Sequence, residues 1–299
     1  MHDPVIILAP PRSFTSVICA MLGQHPQLYG VPELNLFMAE TIRERERLLA
    51  KKKFLDHGLL RVVAQLFGEE QTLQSVSLAE RWLDVRSNCT CAAVLRELLE
   101  KLDPRILVDK SITTVSSPEN LQRALRTFPN ARFMHLLRHP RAVCESLWNL
   151  GGKIAARYME AIDYSTDPPT LDVQKIWYNM HHNICCFLEG VPRENWLRVR
   201  GEDVLSEPDQ SLQQIGNWLG LTMDEKALEE MKSPEKSPYA CLGPGNALLG
   251  NDPGFLKDPE LRPYSKPSDL TLDGPLNWRD DEGEFSPELR ELATEFGYQ

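Results

Sequence analysis

Positive charge is what this sequence lacks: 33 lysines and arginines stand against 43 aspartates and glutamates, for a formal net charge of −10. A general nucleic-acid binder neutralises many phosphates with a basic surface, so no nucleic-acid partner is expected and any anion site must be local. Long apolar runs are missing as well. None approaches the roughly 20 residues of a membrane span, and Met1-His2-Asp3-Pro4 offers no basic stretch ahead of an apolar leader. The seven cysteines (Cys19, Cys89, Cys91, Cys144, Cys185, Cys186 and Cys241) are odd in number and have no metal-site spacing, Cys89-x-Cys91 being too tight for a zinc pair. Reduced thiols, a cytoplasmic setting and no bound metal are therefore expected. On that expectation the acceptor tripeptide Asn88-Cys89-Thr90 carries no glycan. Internal repeats and low-complexity stretches are absent.

What is present is a chain of 299 residues with 42% hydrophobic composition, enough for a sizeable core. Four short apolar segments read as strands: Val5–Leu8, Ile106–Val108, Phe133–Leu137 and Leu197–Val199. Each is followed by a turn and then a helical pattern. Buried strands alternating with helices pair in parallel through right-handed crossovers, and functional loops then collect at the strands' carboxyl ends. The expected fold is α/β, three-layered and P-loop-like, with a central, mainly parallel sheet. Residues 34–103 show helical periodicity without a strand and read as an inserted helical cap, while residues 152–170 are polar. From about residue 234 onward the chain is rich in Pro and Gly and reads as irregular, all within one domain spanning 1–299.

Three elements point to an anion. Val5–Leu8 runs into Pro10-Pro11-Arg12-Ser13-Phe14-Thr15-Ser16 and then an apolar helix face, so a polar loop aims backbone N–H groups and the helix dipole at one point. The loop sits where a Walker A loop would but lacks its Gly-Lys-Ser/Thr ending, which argues for a metal-free site. Arg12 can grip a phosphate bidentately, with Ser13, Thr15 and Ser16 as hydroxyl donors. A capped helix start beside a solvated arginine is the plainer alternative. Next, Arg138 leaves a strand, Pro140 suits the first turn of a helix, and Ser146 follows Arg138 by eight residues. Last, Lys110 closes Ile106-Leu107-Val108-Asp109. Three basic residues at three parallel strand ends converge on one sheet edge.

Together these elements resemble the sulfotransferases that use 3′-phosphoadenosine 5′-phosphosulfate (PAPS). Pro11-Arg12-Ser13-x-Thr15-Ser16 resembles the family's 5′-phosphosulfate loop, and Arg138-x-Pro140 with Ser146 its 3′-phosphate motif. Lys110 resembles the strand-end lysine. His25-Pro26 with Pro32-Glu33-Leu34-Asn35 is similar to protein-tyrosine sulfotransferases, whereas Leu107-Val108-Asp109-Lys110-Ser111 and Ile176-Trp177 look more like bacterial enzymes, including sulfotransferase domains of polyketide synthases. Gly250 and Asn251 lie in a segment resembling the late loop that closes over the nucleotide. Two positions depart from the pattern. Phe14 stands where the family usually has Gly, so the backbone there either avoids positive φ or is strained. Gly201 replaces the usual aromatic ahead of Glu202-Asp203.

The resemblance implies sulfuryl transfer from PAPS to a hydroxyl of a small-molecule, lipid or carrier-bound acceptor, releasing 3′-phosphoadenosine 5′-phosphate (PAP). Positioning and charge neutralisation are then the main tasks, with Arg12 and Lys110 facing the leaving phosphate. Glu33, 21 residues after Arg12, is the candidate base. A helix-start glutamate serving the dipole is its alternative, and His25, His139, His181 and His182 are rivals. Trp82, Trp148, Tyr158 and Trp177 either line an acceptor pocket or fill the core. Two other functions stay open: a nucleotide-dependent small-molecule kinase, which needs the missing loop lysine, and a non-catalytic anion-binding relative. Acceptor identity and oligomeric state are not encoded legibly.

Overall fold

In the computed structural model, the described residues are 2–151, 161–164, 167–267, 270–279 and 283–299, so Tyr158 and much of the 152–170 segment lie outside them. The chain opens with β1 (Val5–Leu8), α1 (Thr15–Leu22) and β2 (Leu28–Gly30). Helices α2 (Ile42–Leu49), α3 (His57–Gly68), α4 (Leu73–Val85) and α5 (Cys91–Leu102) then run without a strand to β3 (Ile106–Asp109). Alternation resumes with α6 (Pro118–Thr127), β4 (Arg132–Leu137) and α7 (Pro140–Asn149). A two-residue antiparallel ladder, β5 (Ile162–Asp163) and β6 (Thr170–Leu171), precedes α8 (Gln174–Leu188) and β7 (Trp196–Arg200). The rest comprises α9 (Gly201–Ser206), α10 (Pro208–Leu219), α11 (Glu225–Met231), α12 (Pro253–Lys257) and α13 (Pro287–Glu295).

Five strands form one sheet in the order β2-β3-β1-β4-β7, every pair parallel. β1 sits at the centre, and all four of its residues are buried, as a strand covered on both faces requires. Ile6 and Leu8 join the apolar cluster shared with α3, α5 and α8, while Val5 and Ile7 join the one shared with α1, α9 and α10. Helices on both faces make three layers. Serine and proline set helix starts: Ser117 Oγ accepts the Asn120 N–H and Pro118 opens α6.

Two sequence expectations are corrected. β2 was not foreseen, because three residues between Pro26 and Pro32 are too few to show a period. The segment from 234 onward holds two helices, α12 and α13, and much of it is packed: Tyr239, Leu276, Trp278, Phe285, Leu289, Phe296 and Tyr298 are buried. Its packing follows tertiary contacts rather than a repeat. Among the described residues, no helix is long and apolar enough to cross a membrane, and no cluster of His, Cys, Asp or Glu could hold a metal ion.

Candidate functional site

The chain crosses from one half of the sheet to the other between β3 and β4, so the crevice beyond the carboxyl ends of β3, β1 and β4 is where ligands collect in such sheets. Lys110, Arg12 and Arg138 follow those three neighbouring strands. The turn after β1 is tight: Arg12 has φ 67° and Phe14 has φ 60°, both left-handed. Phe14 therefore takes the strained option, at a cost of about 1–2 kcal/mol for a side chain in that region. α1 begins directly after it with no side-chain cap and no acidic residue in its first turn, leaving the positive end of the dipole uncompensated.

Arg12 and Arg138 meet. Arg12 Nε donates to Ser146 Oγ at 2.8 Å, and Arg138 Nη1 donates to the Arg12 carbonyl at 2.5 Å. Both guanidiniums line a cavity of about 370 Å³ with Phe14, Thr15, Ser16 and Ser146. Burial lowers the pKa of each guanidinium, and for Arg12 the charge of Arg138 lowers it further. Two cations packed this closely without a full set of partners are arranged for an anion. Two buried polar atoms there, Ser13 Oγ and Arg138 Nε, have no hydrogen-bond partner among the described residues. Buried donors of this kind normally find one.

The loop carrying Arg138 is held from behind. Glu202 Oε1 accepts the His139 N–H at 2.8 Å, Glu202 Oε2 accepts the Tyr298 hydroxyl at 3.1 Å, and Trp177 Nε1 donates to the Arg138 carbonyl at 3.0 Å. Trp177 is thus a core residue with a positioning bond. Trp82 and Trp148 are half-buried against the core, and none of these three lines the cavities described here.

Lys110 is fully buried and its Nζ lies 3.2 Å from Glu33 Oε1. The Glu33 turn is itself pinned. Arg45 Nε and Nη2 donate to the carbonyls of Asn35 and Leu34 at 3.0 and 2.9 Å, and Ser111 Oγ accepts the Asn35 N–H at 2.8 Å. Arg45 also pairs with Asp56. The Gly250 carbonyl accepts the Glu33 N–H at 3.0 Å, and Asn251 Nδ2 donates to the Tyr239 carbonyl at 3.0 Å. Neither Gly250 nor Asn251 lines the arginine cavity; the next residue, Asp252, does and pairs with Arg12.

A second cavity of about 740 Å³ lies beyond α7, lined by Met38, Phe54, Leu55, Ile112, Thr113 and Met180 among others. Thr113 Oγ1 donates to Asn35 Oδ1 at 2.8 Å, which puts the Glu33 turn beside it. A hollow of about 550 Å³ shares Arg12, Arg138 and Ser146 with the first cavity and Leu150 with the second.

The histidines are elsewhere or engaged. His139 Nδ1 accepts the Arg141 N–H to cap α7, His25 Nδ1 accepts the Gln27 N–H, and His181 is buried 2.8 Å from His135. His182 lies on α8 against Tyr178. Sequence reasoning missed Arg45 and Tyr264 and gave Asp252 of the late loop no side-chain role, since their approach to the site depends on how loops run rather than on any strand end.

A profile of the sulfotransferase family matches residues 4–225. The chain belongs to the sulfotransferase family. Two solved sulfotransferase domains share its fold over the whole chain. One, from the curacin biosynthetic pathway, is 25% identical with a TM-score of 0.80, covering 100% of this chain and 99% of that one. The other, from the olefin synthase of Synechococcus PCC 7002, is 26% identical with a TM-score of 0.76, covering 100% and 95%. No functionally curated protein matches the sequence.

Proposed function

We propose that this sulfotransferase takes its sulfuryl group from PAPS and passes it to a hydroxyl of a small-molecule, lipid or carrier-bound acceptor, with residues 1–299 acting as one catalytic domain in the cytoplasm. The observation that carries the reading is the meeting of Arg12 and Arg138, from two strand ends, in one cavity beside the unpartnered Ser13 Oγ and Arg138 Nε. Arg12, Ser13, Thr15, Ser16 and the N-terminus of α1 hold the 5′-phosphosulfate; Arg138 and Ser146 hold the 3′-phosphate. Gly250 and Asn251 shape the loop over the nucleotide. The aromatic part of the cavity contributed by the C-terminal segment, Phe255 and Tyr264, suits a purine base.

In the transfer, Glu33 takes the acceptor's hydroxyl proton, the acceptor oxygen bonds to sulfur, and the bond from sulfur to the 5′-phosphate oxygen breaks, releasing PAP. Arg12 and Lys110 neutralise the charge that grows on the leaving phosphate. No metal is required, in keeping with a loop that lacks the Gly-Lys-Ser/Thr ending. The apolar 740 Å³ cavity next to the Glu33 turn is the acceptor's place. The two structural relatives are domains from a biosynthetic pathway and an olefin synthase, and with the apolar cavity they support a largely apolar biosynthetic acceptor.

A thermal-shift series without Mg²⁺ tests the reading. Ligand at about a hundred times Kd stabilises by about 2.7 kcal/mol, so PAP and PAPS are expected to raise Tm by roughly 4 °C. ATP is expected to leave it unchanged. Stabilisation by ATP with Mg²⁺ but not by PAP means a kinase; stabilisation by neither means a non-catalytic relative.

A further inference from the structure

The two positions at which the chain departs from the sulfotransferase pattern touch each other. Phe14 lies in the loop after β1, and Gly201 opens α9 at the end of β7. A Cβ placed on Gly201 would come 2.7 Å from Phe14 Cδ2, closer than real Cβ contacts allow, 3.3 Å from the Leu137 carbonyl oxygen and 3.6 Å from Ile18 Cδ1. The Phe14 ring therefore sits where a side chain at 201 would stand. It does more there than fill space. The Arg138 guanidinium carbon lies 4.1 Å from the centroid of that ring, and Tyr264 meets the ring edge-on at 5.6 Å.

Arg138 is otherwise held by its ends. Nη1 is tied to the Arg12 carbonyl and the backbone carbonyl to Trp177, but Nε is buried with no partner. An aromatic face attracts the flat cation without using its in-plane N–H groups, so the guanidinium plane is fixed and its donors stay available. Phe14 is held in a left-handed conformation at φ 60°, where glycine is the unstrained occupant. A ring in that costly place, over an arginine of the site with an orphaned donor, is a feature of the site.

We propose that Phe14 is a positioning residue: its ring, seated in the room left by Gly201, sets the plane of Arg138 for the 3′-phosphate of the nucleotide, and the two residues work as one unit. The proposal rests on the assignment of Arg138 to that phosphate.

Calorimetry with PAP and with AMP, which lacks the 3′-phosphate, separates this from a packing role. Phe14→Leu keeps apolar bulk and loses the aromatic face; it is expected to weaken PAP about tenfold while AMP changes less than about twofold. Phe14→Tyr restores PAP binding to within about threefold of wild type. In a double-mutant cycle, Gly201→Ala displaces the ring and weakens PAP at least about threefold, and loses most of that effect in a Phe14→Gly background, where only the 3.3 Å approach to the Leu137 carbonyl remains. Equal losses for PAP and AMP, no loss for either, or independent effects in the cycle overturn the proposal. A wild-type protein that binds neither nucleotide overturns instead the nucleotide reading beneath it.

Discussion

Removing a negative charge from the site should tighten nucleotide binding, and Asp252→Asn isolates that effect. Asp252 pairs with Arg12 while its Oδ1 accepts the Gly254 and Phe255 N–H groups at 2.8 and 3.3 Å, capping α12, and its own N–H donates to Ser16 Oγ at 3.0 Å. Asparagine caps as well as aspartate, so the helix start and the Ser16 bond survive the change. What is lost is a competitor for Arg12. The pair is partly exposed, with 21% and 27% of the two side chains open to solvent, so it is worth about 1 kcal/mol. Repulsion between the carboxylate and a bound phosphate a few ångströms away adds a further ~1 kcal/mol in well-solvated surroundings. At 1.4 kcal/mol per tenfold, Asp252→Asn should bind PAP about 5- to 30-fold more tightly at low salt, with the gain shrinking as salt rises. Isothermal titration of wild type and variant at two salt concentrations measures it. Unchanged or weaker binding by a variant of unaltered Tm refutes the idea that this carboxylate occupies an anion's partner.

Other substitutions act on proton transfer and on the fold. Glu33→Gln should leave PAP affinity intact and lower turnover by about 10²–10⁴, the usual worth of a general base; normal turnover in a sulfuryl-transfer assay would move that role to a histidine. Gly250→Ala forces a Cβ onto a residue at φ 109°, where it would come 2.8 Å from Gly58 Cα. It should destabilise by about 3 kcal/mol, seen as a Tm drop of roughly 5 °C, and loosen the Glu33 turn. Acid should weaken the fold through its buried histidines. Burial pushes His181 down to about 3 and His139 to about 4, and lowers His135 as well, so all three are neutral in the folded protein. The unfolded chain takes up their protons below about pH 6.5, so this stability is fully present above that pH and is lost as the pH falls toward 4, by about 2 kcal/mol each for His181 and His139 at pH 5, with His135 acting in the same direction. Urea titrations between pH 7 and 5 should show that loss, and a flat profile contradicts it.

How much of this the sequence revealed depended on periodicity. The segments Val5–Leu8, Ile106–Val108, Phe133–Leu137 and Leu197–Val199 all fall within observed strands, because buried parallel strands are short, wholly apolar and bounded by turns. Leu28–Gly30 escaped notice for want of length. Arg12 and Arg138 could be placed together because strand ends in a parallel sheet share an edge, and Ser146, eight residues on, lies less than two turns into the helix that follows Arg138. Asp252 and Tyr264 could not, since they arrive on an aperiodic segment whose path is set by burial of residues such as Phe255 and Leu256. The fit between Phe14 and Gly201 was equally invisible: each looked like a separate departure until the fold put a ring from one loop into the space beside the other.

A structure of the protein with PAP bound tests the central claim most directly. The account predicts one nucleotide whose 3′-phosphate lies within hydrogen-bond distance, about 2.7–3.2 Å, of Arg138 and Ser146, with the 5′-phosphate on Arg12 and the loop that precedes α1. A complex in which neither arginine touches a phosphate, or in which the nucleotide occupies some other part of the molecule, contradicts it.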